Sequence, residues 1–180
     1  MRKLDCRNNW RLLDEMLLAE SDSHKKHMLA QIKLHMQTET GGDLAALMDT
    51  VTANPIYHQW GADGSETGPK NRADLEEFYR NLIVGGANRF EYMIERVVVG
   101  DDCVVTEGDI RIPFAGEMLI GMGLDLDPAL DYATTGRCVT FWPFAEDGKI
   151  IGEDIYTLGG FDFEKVEPVE VFDYVYGDGD

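Results

Sequence analysis

The chain has 180 residues with a hydrophobic fraction of 44%, enough for one domain with a real core and too apolar for a disordered chain. Lys and Arg number 16 against 34 Asp and Glu, so the net charge is -18. A surface this acidic repels phosphate backbones and anionic lipid, which excludes nucleic acid and membrane surfaces as expected partners.

Three cysteines, Cys6, Cys103 and Cys138, are odd in number and widely spaced. They form neither a disulfide framework nor a zinc motif, and they suit a reducing compartment. No apolar stretch follows Arg2-Lys3, and no run approaches the ~20 residues of a membrane span. The expected location is the cytoplasm.

In chain order, residues 8 to 20 carry Trp10, Leu13, Leu17 and Leu18 at helical spacing. Ser21-Asp22-Ser23 offers cap oxygens for a second helix over 23 to 39, on which Met28, Ile32, His35 and Met36 share one face. His24 and His27 fall towards the edges of that stripe. Gly41-Gly42 stops the helix, and Asp43 caps a short third one carrying Leu44, Leu47 and Met48. Over 54 to 61 Ile56, His58 and Trp60 alternate with Tyr57 and Gln59, which predicts a strand that Pro55 opens. Gly61 to Ser65 is turn chemistry, and Pro69 to Val84 is a helix with Leu75, Phe78, Tyr79 and Leu82 on one face.

The period then changes to two. Phe90, Tyr92, Ile94 and Val98 form the buried side of one strand, and Val105, Glu107, Asp109 and Arg111 share one face of the next. Residues 115 to 131 keep no period and are expected to be a long insertion or lid. Two strands, 132 to 145 and 149 to 159, flank Glu146-Asp147-Gly148, a hairpin signal. The expected organisation is an N-terminal extension helix over 1–22, an α+β domain over 23–160 and an acidic tail over 161–180. Helices first and an antiparallel sheet after them predict an α+β fold, a cone-shaped sheet curved over helices and enclosing a pocket.

Four stretches carry a resemblance: Gly42-Asp43-Leu44, Ile56 to Gly61, Asn71 to Tyr79, and Phe144 to Ile150. Their order and spacing resemble the SnoaL-like and ketosteroid-isomerase-like superfamily, the fold of nuclear transport factor two, over roughly 24 to 160. The resemblance implies a pocket for a small apolar organic ligand and leaves the reaction open, since such proteins include isomerases, polyketide cyclases, dehydratases, epoxide hydrolases and pure binders. It also implies a homodimer through the outer sheet face.

By that resemblance His58 stands where ketosteroid isomerases carry their carboxylate base. His35 stands at the position of an oxyanion-stabilising tyrosine, and Thr140 at that of a protonated aspartate. Threonine there argues against ketosteroid isomerisation itself. Imidazole titrates near neutral pH, so His58 is the expected general acid or base, with Asp109 or Glu153 orienting it and His35, Tyr79 or Thr140 steadying an oxyanion. Trp60, Tyr79, Tyr92, Arg111, Thr140, Trp142 and Glu153 are the expected substrate-binding residues; Phe141 and Tyr156 are further aromatics of the same strands. Arg137 is expected to form a surface ion pair.

Limonene epoxide hydrolases are similar at Asp109 and Arg111, in reversed order, with Glu153 or Asp154 on the last strand. This gives an alternative, epoxide-hydrolase-like reading. A further alternative is a non-catalytic binding or dimerisation module. The sequence has no metal-ligand motif and no glycine-rich phosphate loop after a strand, so any reaction is expected to be of a cofactor-independent isomerase or lyase type.

Overall fold

The structure, a computed structural model, describes residues 3–61 and 63–167. Local chemistry sets the helices. A 3-10 turn, Cys6–Asn9, leads into α1, Arg11–Ala19. The Asp22 carboxylate accepts from the amides of His24 and Lys25 and starts α2, Ser23–Gly41, while Gly42 in the left-handed region (φ 74°) ends it. Asp43 caps α3, Leu44–Asp49, and Asn71 caps α4, Arg72–Gly85, which Gly86 closes in the same way.

Six strands form one mixed sheet in the order β2-β1-β6-β5-β4-β3. They are β1 His58–Trp60, β2 Glu66–Thr67, β3 Glu91–Val99, β4 Cys103–Ala115, β5 Asp131–Pro143 and β6 Asp154–Val166. All pairings are antiparallel except β1 with β6. The fold is the expected α+β cone: α2 and α4 pack into the sheet, and Met28, Leu29, Ile32 and Met36 of α2 meet Ile94, Val104 and Trp142 in the core. The α2 stripe works because residues three and four apart share a face.

Several elements differ from expectation, each for a local reason. The 115–131 segment holds a short helix, α5 Gly116–Gly121. The last strand starts at Asp154 and runs to Val166, whose side chain is buried with Leu4 and Ala133. The first residues of the expected acidic tail are therefore sheet, and residues 168–180 lie outside the described ones. Val98 was expected on the buried face of β3 and is 56% exposed. The cause is a bulge: Ile94 pairs with Gly108 but Arg96 with Glu107, so Glu95 is an extra residue and the alternation flips. Gly108 is required opposite it, since a Cβ there would lie 2.0 Å from the Met93 carbonyl oxygen.

The edge strand β3 is covered by the N-terminal segment. The Asn9 side-chain oxygen accepts from the Tyr92 amide at 2.6 Å, blunting an edge that would otherwise offer free backbone groups.

At the other side β1 lies against the chain entering β6. The Ile56 amide donates to the Ile151 carbonyl (3.0 Å) and the His58 amide to the Glu153 carbonyl (2.8 Å). A Cβ on Gly152 would sit 1.7 Å from the Ile56 carbonyl oxygen, so only glycine lets the two backbones approach this closely. Gly152→Ala is expected to cost ~1–3 kcal/mol or more of stability. A lowered urea midpoint with a normal slope checks this; an unchanged midpoint refutes the close approach.

Candidate functional site

The concave face of the sheet, α2 and α4 enclose a cavity of about 470 Å³. Phe78 and Leu82 come from α4, Phe90 precedes β3, and Ile110, Ile112 and Phe114 come from β4, making an apolar wall. Polar groups gather elsewhere on the lining: Glu39 from the last turn of α2, Tyr57 just before β1, Tyr79 from α4, and Glu153 just before β6. Among the described residues, no Lys, Arg or His lines the cavity.

Glu153 is 8% exposed and anchors a hydrogen-bonded cluster. Tyr79 Oη donates to Glu153 Oε1 (3.0 Å) or to the Tyr57 phenol oxygen (3.0 Å). His35 Nε2 lies 2.9 Å from Tyr79 Oη and 3.1 Å from Glu153 Oε1. The Thr50 hydroxyl spends its one proton on the Leu47 carbonyl (2.6 Å), so its oxygen accepts from His35 Nδ1 at 2.7 Å. That bond puts the imidazole proton on Nδ1 and aims Nε2 at the Tyr79–Glu153 pair. Tyr79 and His35 both meet the Glu153 carboxylate at Oε1, and Tyr57 also hydrogen-bonds with Glu153.

Burial, and after it the negative charge of Glu153, raise the pKa of both Tyr57 and Tyr79 well above the ordinary phenol value. Both remain proton donors at neutral pH. Glu39 is also 8% exposed. Burial first, and then Glu153, push its carboxyl well above the ordinary glutamate range. A buried carboxyl perturbed in this way, in a cavity, is a pattern associated with functional sites. Asn88 Nδ2 fixes the turn that carries Glu39 by donating to the Glu39 and Thr40 carbonyls at 2.9 and 3.2 Å.

No family model and no curated protein matches this chain. Solved structures do. A protein described as a SnoaL-like polyketide cyclase from Shewanella putrefaciens superposes with a TM-score of 0.60 at 12% identity, over 81% of this chain and 86% of that one. An NTF-2-like protein from Burkholderia xenovorans gives 0.52 at 18% identity, over 78% and 90%. SalBIII, an epoxide hydrolase/cyclase-like enzyme of pyran ring formation in salinomycin, gives 0.52 at 16%, over 79% and 95%.

The fold is the SnoaL-like, NTF-2-like fold.

Within it, the sequence-derived site residues divide by the face they occupy. Tyr79, Tyr92, Thr140, Trp142 and Glu153 line the cavity, and Trp60 reaches its rim. Tyr92 and Trp142 spend their polar atoms on the wall itself: Trp142 Nε1 donates to Thr106 Oγ1 (3.0 Å), and Tyr92 Oη donates to Thr106 Oγ1 (3.3 Å) or to the Cys138 carbonyl (3.2 Å).

His58 is outside the lining. Its Nδ1 meets Glu66 Oε1 at 2.9 Å and Lys70 Nζ at 3.1 Å, in a surface cluster where Lys70 also pairs with Glu66. The reason is strand parity: Gln59 pairs beside Ile155 and points inward with Tyr57, so His58 and Trp60 point outward with Asp154 and Tyr156. His35 is fully buried behind Tyr79 and Glu153, with both ring nitrogens engaged, so it backs the site instead of donating into it.

Asp109 and Arg111 share the outer face of β4. Arg137 binds Glu95 (2.7 Å), Glu107 (2.9 Å) and Asp109 (3.2 Å), the surface ion pairing expected of it. Arg111 pairs with Glu91 at 2.8 Å beneath the N-terminal segment, where Asn8 also binds Glu91. Glu153 faces the cavity, so Asp109, Arg111 and Glu153 form no common site, whereas Asp154, the other last-strand carboxylate of the epoxide-hydrolase-like reading, points outward with His58. None of residues 115–131 lines the cavity. Among the described residues, no group of three or more His, Cys, Asp or Glu side chains is arranged to hold a metal, and no helix is long and apolar enough to cross a membrane.

Tyr57, Glu39 and Thr50 were not singled out from sequence. Glu39 had a signal: it follows Ile32, His35 and Met36 at spacings of seven, four and three, on the buried stripe of α2.

The Glu39 pKa sets a pH dependence. Below the ordinary glutamate pKa the carboxyl is protonated in both folded and unfolded chains. Above it the unfolded carboxyl ionises first, so stability falls by about 1.4 kcal/mol per pH unit until the raised folded pKa is passed. Glu39→Gln removes that loss. The variant is expected to gain more on wild type at pH 7 than at pH 4 in urea titrations; an equal difference at both pH values refutes the buried acid.

Proposed function

We propose that the protein is a cofactor-independent acid–base enzyme acting on an apolar, carbonyl-bearing small molecule, with Glu153 as the general base. The observation that carries this reading is the Glu153 carboxylate itself: it lines a largely apolar cavity and has the phenols of Tyr57 and Tyr79 beside it. A base so placed removes a proton from the carbon next to a ligand carbonyl. The enolate oxygen that results is met by the Tyr57 phenol, which lies 3.0 Å from Tyr79 Oη. The new acid, Glu153-COOH, returns the proton to another carbon in an isomerisation. In a cyclisation the enolate attacks a second carbonyl, and in a dehydration a β-hydroxyl leaves with that proton. His35, tied to Thr50, is the positioning residue that holds Glu153 in line.

The solved structures of this fold include a protein described as a polyketide cyclase and an epoxide hydrolase/cyclase-like enzyme, which supports ring-forming chemistry on an apolar substrate. The expectation that His58 acts as the base is replaced by Glu153, on the parity of β1. The test is solvent exchange: 2-tetralone in D₂O, with deuterium incorporation followed by NMR. Wild type is expected to accelerate exchange, Glu153→Gln to lower that acceleration by ~10²–10⁴-fold, and His58→Ala to leave it unchanged. A Glu153→Gln protein that exchanges at the wild-type rate sinks the assignment.

We further propose that the outer sheet face mediates a homodimer. Trp60 stacks on Tyr156 (centroids 6.1 Å apart) and Tyr156 meets Phe141 edge-on (5.9 Å), with all three and Leu158 exposed. Contiguous exposed aromatics of this kind mark association surfaces. Phe141→Glu is expected to shift a dimer to monomer in sedimentation velocity; a wild-type monomer, or a dimer unaffected by Phe141→Glu, refutes it.

A further inference from the structure

The Glu39 carboxyl is the one lining group of the polar cluster whose needs the protein leaves unmet. Its backbone carbonyl accepts from Asn88, but among the described residues no side chain or amide bonds its carboxyl, and only burial and Glu153 act on it. It is more than nine-tenths buried and lines the cavity. The carboxyl opens onto the cavity with no partner from the described residues, so it is placed to take one that arrives with a ligand.

The surroundings select the charge of that partner. Among the described residues, the lining holds two carboxyls, Glu39 and Glu153, and no cationic side chain. The other titratable lining groups, Tyr57, Tyr79, Tyr92 and Cys138, all have pKa values raised by burial and stay neutral. His35, one helical turn before Glu39, has both nitrogens engaged by Thr50, Tyr79 and Glu153. The whole chain adds a net charge of -18. A ligand carboxylate or phosphate would enter against this field with no guanidinium or ammonium to receive it. An ammonium would find carboxylates and the faces of Phe78, Tyr79 and Trp142 on the same lining.

We propose that the cavity recognises a ligand amine, with the ammonium seated against the Glu39 carboxylate and the apolar body of the ligand along Phe78, Phe90 and Ile110. Glu39 is then the specificity-determining residue, separate from Glu153, which acts on the ligand. The proton balance is simple. The ammonium keeps its protons, Glu39 gives its own to solvent, and an N–H···O⁻ bond forms where a neutral carboxyl stood. This rests on the reading of the cavity as the substrate site and adds the substrate's charge to it.

The test uses three probes of one shape and different charge: 2-naphthylmethylamine, 2-naphthylmethanol and 2-naphthoate, titrated calorimetrically into the full chain. The amine is expected to bind about tenfold tighter than the alcohol, as charge-assisted bonds are the stronger ones, and the carboxylate weakest. Amine titrations in buffers of different ionisation enthalpy should show one proton released, and amine affinity should rise with pH as Glu39 ionises more easily. Glu39→Gln is expected to abolish the amine preference and keep the alcohol affinity, with its thermal unfolding checked alongside. An alcohol or carboxylate that binds as tightly as the amine overturns the inference, as does an amine preference that survives Glu39→Gln. If none of the three binds, the cavity reading falls too. If tetralone exchange depends on Glu153 while the amine shows no preference, only the charge assignment falls.

Discussion

Glu153 carries a carboxylate into a place where water reaches little of it. A charge so placed is tolerated only when donors face it, because the desolvation penalty of an ion amounts to several kcal/mol. The groups around it come from separated parts of the chain. Tyr79 Oη from α4 is within donating distance of it, His35 from the middle of α2 stands behind Tyr79, and Thr50, at the end of α3, fixes His35 by accepting its Nδ1 proton. Each is held by an element packed for another reason: α2 by its apolar stripe, α4 by Leu75, and α3 by Leu47 and Met48. The carboxylate thus makes the relative placement of three helices and the entry to β6 a single requirement. Gly152 is part of it, since the approach of β1 to the residue before Glu153 is closer than any side chain permits.

The second constraint is the alternation of strands. The sheet separates its two faces so strictly that a one-residue difference moves a side chain from cavity to exterior. On β4 the inward positions are Thr106, Ile110, Ile112 and Phe114, and the charges Glu107, Asp109 and Arg111 stand opposite. The outward set then solves its own electrostatics: Arg137 collects three carboxylates, and its hydrogen bond with Glu107 holds that carboxyl below the usual range. Exposed ion pairs of this kind contribute little to stability. Their effect is to keep the outer face soluble beside the exposed aromatics.

Much of this was legible from residue patterns. The caps at Asp22, Asp43 and Asn71, the glycine stops, the α2 stripe and the change of period after Gly86 all follow from short-range chemistry, and the cone fold followed from their order. What was not legible depends on pairing between distant strands. His58 and Tyr57 are equally good inward candidates until β6 is laid beside β1, and the run Ile56 to Trp60 alternates cleanly either way. The same is true of Val98, which the Glu95 bulge turned outward, a displacement that takes its cause from Gly108 on another strand. Of the site, His35, Tyr79 and Glu153 were visible as candidates, but with roles arranged around the wrong neighbour. Thr50 had no signal, since a threonine ending a short helix is ordinary.

The two cavity carboxyls show why such a site does not settle into a structural ion pair. Glu153 has the phenols of Tyr79 and Tyr57 beside it. Glu39 has no donor among the described residues, and Glu153 sits near enough for its charge to oppose ionisation of Glu39. Giving Glu39 a protein partner, a lysine or arginine from the opposite wall, would neutralise the pair and fill the polar end of the cavity with a fixed cation. The lining contains no such residue. Burial and the neighbouring Glu153 charge instead both favour the protonated form of Glu39. That proton is the least tightly specified part of the site, because burial and repulsion keep it there and no hydrogen bond does. An entering ammonium would displace that proton, whereas an uncharged group would leave it in place. The difference between those two events lies in protons released to solvent, a quantity the shape of the cavity alone does not determine.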